Sequence, residues 1–219
     1  METIFLGPNG PQFGLEIRWV LGPPWAPSLD SLLRTTHLNA SFFLSLQHTF
    51  QYNDALWSNK ETFNLDGGKT GFDSQETKLP SYWNTSFSKI CLGMKIDQTV
   101  KFIVISKQAN SLYSLIADGH YRATELGRDT WKSLIGSDAS LQQNCNKEGF
   151  NAMSTSSGYS RARIGILGND GNYCDTCDSR IGFGTRGYPD DSNTCGNRAS
   201  SSPDNGDKNI KSIGYILVQ

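Results

Sequence analysis

The sequence predicts a mainly β (α+β) fold: a single domain, rich in antiparallel strands, with a few short helices and long Asp/Asn/Gly loops. Short runs of β-branched and aromatic residues recur along the chain and are separated by Gly, Asn or Asp, which is typical of strands joined by turns. Apolar residues make up 37% and charged residues 19%, both below the usual share of a globular domain. The 219 residues contain no long linker and no internal repeat, so we predict one domain over residues 1–219.

The first part of the chain combines an irregular segment with one clear strand. Residues 1–27 mix glycine and proline with aromatic residues, which predicts an irregular lead-in around one short strand at 16–21. Ser28 is predicted to cap a short helix that follows it. Apolar and polar residues alternate over 41–51, which indicates a half-buried antiparallel strand.

Six further runs are predicted to be strands because β-branched and aromatic residues dominate them. They are 90–96, 101–106, 111–117, 162–167, 181–185 and 210–218. One more helix is predicted, in which Trp131 and Leu134 face inward. Asp129 is its expected N-cap, and Gly136 is its expected C-terminal stop.

The segment 168–207 is an acidic, cysteine-containing loop region, because Asp, Asn and Gly crowd it and few apolar side chains interrupt it. A loop of that length is usually functional or is held by ions or disulfides. Ca²⁺ takes oxygen ligands from carboxylates and carbonyls on flexible loops, so a calcium site is one interpretation. The candidate ligands are Asn169, Asp170, Asp175, Asp178, Asp190 and Asp191. The other interpretation is that these residues form turns on a solvated surface.

Three aromatic residues, Tyr173, Phe183 and Tyr188, belong to the same segment. The flat apolar face of an aromatic ring suits the apolar face of a pyranose, so these residues can border a sugar site. Alternatively, they are buried anchors that hold the segment against the core.

The chain has five cysteines, which predict structural disulfides: Cys91, Cys145, Cys174, Cys177 and Cys195. Cys174 and Cys177 form a C-x-x-C pair, but a zinc ribbon requires a second such pair and a thioredoxin-type motif opens a helix. Spacing does not determine connectivity. As a working assignment, Cys91 pairs with Cys145 and Cys195 pairs with Cys174 or Cys177, which leaves one thiol.

Two features predict secretion. Asn39 and Asn84 begin Asn-x-Ser/Thr acceptor sequences for N-glycosylation, and cysteines in loop-like surroundings favour an oxidising compartment. The first residues carry no positive region, and Pro8 interrupts the apolar run that a signal peptide requires. We therefore expect that Met1 is not the natural start and that a signal segment precedes it.

Charge and motif content exclude several classes of function. The formal net charge of -1 provides no broad positive field for nucleic acid or for an anionic membrane surface. The strongly apolar stretches, such as 215–218, are far too short for a transmembrane helix. The three histidines are scattered, and neither a nucleophile elbow nor a zinc-protease motif is present. We expect a binding protein, not an enzyme.

Four stretches carry a resemblance to a known family. They are WNTSFSKICLGMKI at 83–96, ANSLYSLIADGHYRAT at 109–124, GRDTWKSLIG at 127–136 and SRARIGILGNDGNYCDTCDSRIGFG at 160–184. Through them the chain resembles cnidarian secreted proteins described as uncharacterised skeletal organic matrix proteins of corals. The resemblance implies a secreted protein of the extracellular organic matrix associated with calcium carbonate. Long Asp runs are missing, so we expect contact with the mineral to be indirect.

The last third resembles the C-terminal part of intelectins and fibrinogen-related domains, in the order ARIGILGND, CDTCDSRIGFG, TCGN and IKSIGYILVQ. That resemblance implies a fibrinogen/intelectin-like fold with Ca²⁺ held in long loops. The Asn/Asp pair of the motif falls on Asn169 and Asp170, and its acidic position falls near Asp178. Intelectins have a histidine pair where this chain has Asp178 and Ser179, so the resemblance implies calcium binding more than sugar binding.

These observations lead to two hypotheses. The first is a secreted skeletal organic matrix protein that binds and scaffolds extracellular matrix components or glycans and holds a structural Ca²⁺. The alternative is a calcium-dependent glycan-binding lectin of the intelectin/fibrinogen-related type. Neither requires nucleic acid or membrane as a partner.

Overall fold

A computed structural model of the chain describes the backbone of 39–44 and all of 49–67 and 75–219. The lead-in 1–27, its strand at 16–21 and the helix expected after Ser28 lie outside the described residues. The described strands are β1 (Asn39–Leu44), β2 (Thr77–Lys78), β3 (Phe87–Ile96), β4 (Thr99–Ala109), β5 (Arg122–Ala123), β6 (Asn144–Met153), β7 (Arg161–Asn169), β8 (Ser179–Arg186), β9 (Cys195–Ala199), β10 (Lys208–Lys211) and β11 (Ile213–Val218). The described helices are α1 (Ser81–Asn84), α2 (Leu112–Ile116) and α3 (Arg128–Ser133), with a 3₁₀ turn at Ala55–Trp57.

The strands form two antiparallel sheets. The first has the order β2-β1-β11-β3-β4, and the second has the order β10-β9-β8-β7-β6-β5. Each neighbouring pair in both sheets runs antiparallel. The predicted fold class is confirmed: a single β-rich domain with a few short helices.

The main hydrophobic core draws side chains from both sheets and from the helices. Leu92 on β3, Ile164 on β7 and Phe183 on β8 are fully buried in it. Trp131 of α3 and Leu115 of α2 belong to the same cluster. Each buried side chain of this size stabilises the fold by roughly 1.5–3 kcal/mol, so the core holds the two sheets together.

Four predicted strands are confirmed where the residue pattern is strongest. The runs 90–96, 101–106, 162–167 and 181–185 fall inside β3, β4, β7 and β8. The segment 168–207, in contrast, is not one long loop. Strand β8 passes through it and pairs with β9, a strand that the sequence Cys-Gly-Asn-Arg-Ala did not reveal because it contains no apolar run.

The strand predicted at 111–117 is wrong, because this segment contains helix α2. Ser111 caps the helix: its hydroxyl accepts from the backbone N–H of Ser114, and the Ser114 hydroxyl accepts from the backbone N–H of Ser111. Leu112, Leu115 and Ile116 then lie on one buried face at helical spacing. These two capping hydrogen bonds outweigh the strand preference of the β-branched and aromatic residues in the segment.

Three other boundaries differ from the prediction. The run 210–218 is divided at Ser212, so β10 ends in the second sheet and β11 lies between β1 and β3 in the first. Strand β1 covers Asn39–Leu44, and a turn with Phe50 at φ 60 takes the place of the last residues of the predicted 41–51 strand, whose residues 45–48 lie outside the described part of the chain. Helix α3 is confirmed, but its N-cap is Gly127, and Asp129 lies inside its first turn.

Glycines allow β7 and β8 to lie close together. Gly165 on β7 faces Gly182 on β8, and a Cβ atom on Gly182 would lie 2.5 Å from the carbonyl oxygen of Ile164. The backbone atoms there cannot move cheaply, so glycine is required in the middle of β8. Within the described residues, every helix is too short or too polar to cross a bilayer.

Candidate functional site

A cleft of about 470 Å³ lies where β7 begins and β8 ends, and two arginines and two aspartates line it. Its lining residues are Asn53, Gly158, Arg161, Arg186, Gly187, Tyr188, Pro189, Asp190 and Asp191. A larger hollow, of about 690 Å³, lies beside β3 and β4. The described residues lining it carry no charged side chain, so we place the candidate site in the smaller cleft.

Arg161 presents a guanidinium group to the cleft from the first residue of β7. Within the described part of the chain its Nε atom is buried without a hydrogen-bond partner. The guanidinium lies 5.6 Å from the ring centre of Tyr52, a distance at which a cation is attracted to the face of an aromatic ring. Arg161 is therefore oriented by an aromatic surface and keeps donors for a ligand.

Tyr188 forms an aromatic wall of the cleft. Its side chain is 47% exposed, and its ring lies 5.6 Å from the ring of Tyr159. The backbone N–H of Tyr188 donates to the carbonyl of Gly158 at 2.7 Å, which holds the wall against the turn before β7. The interpretation of Tyr188 as the border of a sugar site is compatible with this position. Phe183 is instead a buried anchor of the main core, and Tyr173 is 81% exposed outside the cleft.

Two predicted metal ligands, Asp190 and Asp191, line the cleft, but each is already paired with an arginine. Asp190 accepts from Arg198 Nε at 2.9 Å and from the backbone N–H of Ser192. Asp191 accepts from Arg186 Nε at 3.0 Å and from the backbone N–H of Gly187 at 2.7 Å. Both carboxylates thus act as fixed acceptors in the cleft wall.

The pKa values of these two carboxyls follow from the same contacts. Burial raises the pKa of Asp190, but hydrogen bonds from Arg198 and Ser192 outweigh it and lower the pKa to about 2. Burial likewise raises the pKa of Asp191, and the donors of Gly187 and Arg186 bring it below its usual value. Both groups are therefore ionised at neutral pH.

Arg180 supports the cleft from the core side. It is fully buried, and its guanidinium donates to the carbonyls of Gly187, Tyr188 and Asp190 at 2.9, 3.0 and 2.7 Å. Burial lowers the pKa of Arg180 to about 10, while Asp190 and Asp191 act in the opposite direction. One arginine thus fixes the backbone of the loop that carries both carboxylates and the tyrosine.

The other four predicted metal ligands lie around the β7–β8 connection and have different partners. Asn169 donates to the carbonyl of Tyr173 at 2.6 Å and to a carboxylate oxygen of Asp175 at 3.5 Å. The backbone carbonyl of Asp170 accepts from Asn144. Asp178 is bound to Gln142 through two hydrogen bonds of 3.1 Å. Across the described ranges, no three His, Cys, Asp or Glu side chains are grouped closely enough to hold a metal ion.

The disulfide assignment from the sequence is wrong, because Cys145 pairs with Cys174. Cys145 lies near the start of β6, and its partner Cys174 belongs to the β7–β8 connection. Cys91 lies inside β3, which belongs to the first sheet. Cys91, Cys177 and Cys195 are buried free thiols. Burial raises the pKa of Cys91 and of Cys195 to about 12, so neither is a ready nucleophile.

The two glycosylation candidates differ in what the structure says of them. Asn84 is exposed at the end of α1, where its side-chain oxygen accepts from the Thr85 hydroxyl. Asn39 begins β1, of which only the backbone is described.

Sequence reasoning missed the cationic half of the cleft. Arg161 and Arg186 are cross-strand partners at the ends of β7 and β8, and Asn53 comes from a distant turn. The run Arg186-Gly-Tyr-Pro-Asp-Asp contains a signal, because an arginine shortly before two aspartates can pair with them across a tight turn.

Comparisons with protein-family models, curated protein sequences and solved structures give no significant match to this chain. The resemblances to coral skeletal matrix proteins and to intelectins therefore stay predictions.

Proposed function

We propose that this chain is a secreted extracellular matrix protein that binds and scaffolds glycans, with the cleft between β7 and β8 as its binding site. The cleft is the observation that carries the proposal. It combines an aromatic wall, Tyr188, with fixed carboxylate acceptors, Asp190 and Asp191, and with guanidinium donors. Sugar hydroxyls require donors and acceptors in fixed positions, and the apolar face of a sugar ring requires a flat partner.

The carboxylates of the cleft favour binding over catalysis. Glycoside hydrolysis needs one carboxyl whose pKa is raised, so that it remains a proton donor at neutral pH. Asp190 and Asp191 have lowered pKa values, and an arginine is bound to each. They are suited to accept hydrogen bonds from a ligand, and we propose no chemical step.

Secretion is part of the proposal and has two supports. The Cys145–Cys174 disulfide is typical of an oxidising compartment, and Asn84 is exposed in an acceptor sequence for N-glycosylation. Association with the organic matrix of a calcium carbonate skeleton rests on the sequence resemblance. With a net charge of -1, contact with the mineral would pass through matrix components.

A calcium-dependent lectin is the second candidate, and one observation favours it. Asn169 is 3% exposed, and its side-chain oxygen is buried without a hydrogen-bond partner among the described residues. An amide oxygen of this kind is a suitable ligand for Ca²⁺, with Asp170 and Asp175 nearby in sequence. Calcium bound there would hold the β7–β8 connection, at the end of these two strands that is opposite the cleft.

Tyr188→Ala is expected to weaken glycan binding about tenfold, because the sugar loses its aromatic partner; this corresponds to about 1.4 kcal/mol. The measurement is titration of the disulfide-intact protein with the best ligand from a glycan array. Tyr173→Ala is the matched control, since Tyr173 is an exposed tyrosine outside the cleft.

The array is repeated with millimolar Ca²⁺ and with a chelator. Binding that survives the chelator supports the matrix protein, and binding that needs Ca²⁺ supports the lectin. An array without any bound glycan would contradict both. An equal loss of affinity in Tyr173→Ala would contradict the placement of the binding site in the cleft.

A further inference from the structure

The arginines in and behind the cleft differ in whether a carboxylate balances their charge. Six charged residues line it or hold its loop, namely Arg161, Arg180, Arg186, Arg198, Asp190 and Asp191. Four are cationic and two are anionic, whereas the whole chain has a net charge of -1. The four charged residues that line the cleft itself, Arg161, Arg186, Asp190 and Asp191, sum to no net charge, so the ligand class depends on which arginine is left unpaired.

The contacts of these residues show which arginines are paired with a carboxylate. Arg186 pairs with Asp191, and Arg198 pairs with Asp190 at 2.8 Å. The Arg180 guanidinium is buried and bonded to backbone carbonyls, so it is out of reach of a ligand.

Arg161 remains as the arginine of the cleft lining that has no counter-charge among the described residues. Its side chain makes no hydrogen bond or ion pair with a described residue and contacts the Tyr52 ring. Arg163, the next arginine on β7, also lies over the Tyr52 ring, but it is satisfied inside the core, where it donates to the Tyr52 carbonyl and to the Asn151 side chain.

We infer that the cleft selects anionic sugars, whose carboxylate or sulfate group is bound by the guanidinium of Arg161. This inference rests on the proposed glycan binding and specifies its ligand class. A guanidinium is planar and donates two parallel hydrogen bonds to a carboxylate or sulfate, which a lysine cannot reproduce. The Tyr52 ring beneath Arg161 holds that plane in position, and the Tyr188 wall is placed to contact the sugar ring.

The test measures binding of three probes to the wild type: a sulfated heparin-type oligosaccharide, an oligouronate and a neutral oligosaccharide. Arg161→Gln is expected to lower affinity for the preferred anionic probe at least tenfold and to lower affinity for a neutral probe by a much smaller factor. Arg161→Lys is expected to recover only part of the lost affinity, because lysine keeps the positive charge but not the two parallel donors of the guanidinium. Lys211→Gln, on exposed β10, removes one positive charge elsewhere and is expected to change little.

The outcomes separate this inference from the proposed function. A preference for the sulfated probe or for the oligouronate supports the inference and identifies the anionic group. Binding of the neutral probe with equal affinity overturns the inference and leaves glycan binding in place. If no probe binds, both fail. An equal loss in Lys211→Gln would indicate nonspecific charge attraction and would also overturn the inference.

A second, independent observation concerns three cysteines on the β6–β8 side of the domain. The thiol sulfur of Cys177 lies 3.7 Å from the sulfur of Cys145, which is bonded to Cys174. Cys177 is fully buried between Ala152, Ala162 and Leu167, whereas Cys174 is only partly buried in the β7–β8 connection. A free thiol thus lies next to the disulfide, on the side away from solvent.

We propose that these cysteines form an exchange site that moves the free thiol from Cys177 to Cys174. The Cys177 thiolate attacks the sulfur of Cys145, the Cys145–Cys177 bond forms, and the Cys145–Cys174 bond breaks. Cys174 leaves as a thiolate and takes up the proton that Cys177 has lost, so no external oxidant or reductant is required. The product carries its free thiol at a partly exposed position, where it can be modified.

The expected result is slow labelling of Cys174 by N-ethylmaleimide in the native, unreduced protein. Peptide mapping without reduction should then find a Cys145–Cys177 bond in the labelled fraction. Burial raises the pKa of the Cys177 thiol and keeps the thiolate fraction small, so labelling is followed over hours. Cys177→Ser is expected to abolish Cys174 labelling and to keep the Cys145–Cys174 bond.

Two outcomes would overturn the exchange site. One is that Cys174 of the native wild type remains unlabelled over the time in which an unfolded control sample is fully labelled. The other is equal labelling of Cys174 in the wild type and in Cys177→Ser. A change in the far-ultraviolet circular dichroism of the variant would require the same test in Cys177→Ala, for which the same labelling results are expected.

Discussion

Glu148→Ala is expected to lower the free energy of unfolding by about 4 kcal/mol, the largest single effect that we predict. The Glu148 carboxylate accepts four hydrogen bonds: from the Thr124 hydroxyl at 2.7 Å, from the backbone N–H groups of Leu126 and Gly127 at 3.0 and 2.8 Å, and from the Trp131 indole at 2.8 Å. Each donor left buried without a partner costs about 1–3 kcal/mol. The carboxylate also fixes the start of α3, so its loss separates the helix from β6.

Chemical denaturation at several pH values measures this effect and its sign. Burial raises the pKa of Glu148, but its four donors outweigh burial and bring the pKa below the ordinary value of 4.5. Because the folded pKa is lowered, the stabilisation is fully present above the unfolded pKa and is lost as the pH falls through the folded value. The difference between wild type and Glu148→Ala should therefore shrink under acid.

Glu125→Ala is the matched control, since Glu125 is an exposed glutamate a few residues before α3. Its unfolding midpoint should equal that of the wild type within about 0.5 kcal/mol. A loss of less than 1 kcal/mol in Glu148→Ala at neutral pH would contradict the role assigned to the buried carboxylate.

Arg180→Met is expected to destabilise the domain by about 3 kcal/mol and to abolish ligand binding in the cleft. The substitution leaves the carbonyls of Gly187, Tyr188 and Asp190 without their donor, and each unsatisfied group costs about 1–3 kcal/mol. Removal of a buried charge recovers part of this loss, because burial disfavours the charged form. The loop that carries Tyr188 and Asp191 then loses its anchor.

Thermal unfolding and glycan titration, carried out on the same samples, separate the two effects. Arg180→Lys keeps the positive charge, but a lysine ammonium group lacks the planar fork with which the guanidinium reaches all three carbonyls. We therefore expect an intermediate loss of stability. Arg186→Met, which removes an arginine at the surface of the cleft, should affect binding with little effect on stability. A stable Arg180→Met protein with wild-type binding would contradict this account of the loop.

The strands that the sequence predicted well are those in which the local pattern and the tertiary environment agree. In β3, β4, β7 and β8, runs of apolar, mostly β-branched residues enter a core between two sheets. The prediction failed at 111–117 because hydrogen bonds between Ser111 and Ser114 make a helix of a segment with strand composition. The short strands β5 and β9 are held by their neighbours and have no strong pattern of their own.

Only the acidic half of the candidate site and its tyrosine, Tyr188, could be predicted from the sequence. Asp190 and Asp191 were recognisable because acidic residues crowd the segment that contains them. Arg161 joins them only through the pairing of β7 with β8, and Asn53 joins through a contact more than a hundred residues away in sequence. Residues brought together by strand register leave no periodic signal in the sequence.

The sequence by itself determined the class of the fold, because the alternation and composition of strands are local properties of the chain. It also determined that the region after β7 is rich in turns and polar side chains. The tertiary structure alone decided that Cys145 pairs with Cys174, that 210–218 divides between two sheets, and that Arg161 lines the cleft with no carboxylate partner among the described residues. These outcomes depend on which distant residues become neighbours, and that is set by sheet register and core packing together.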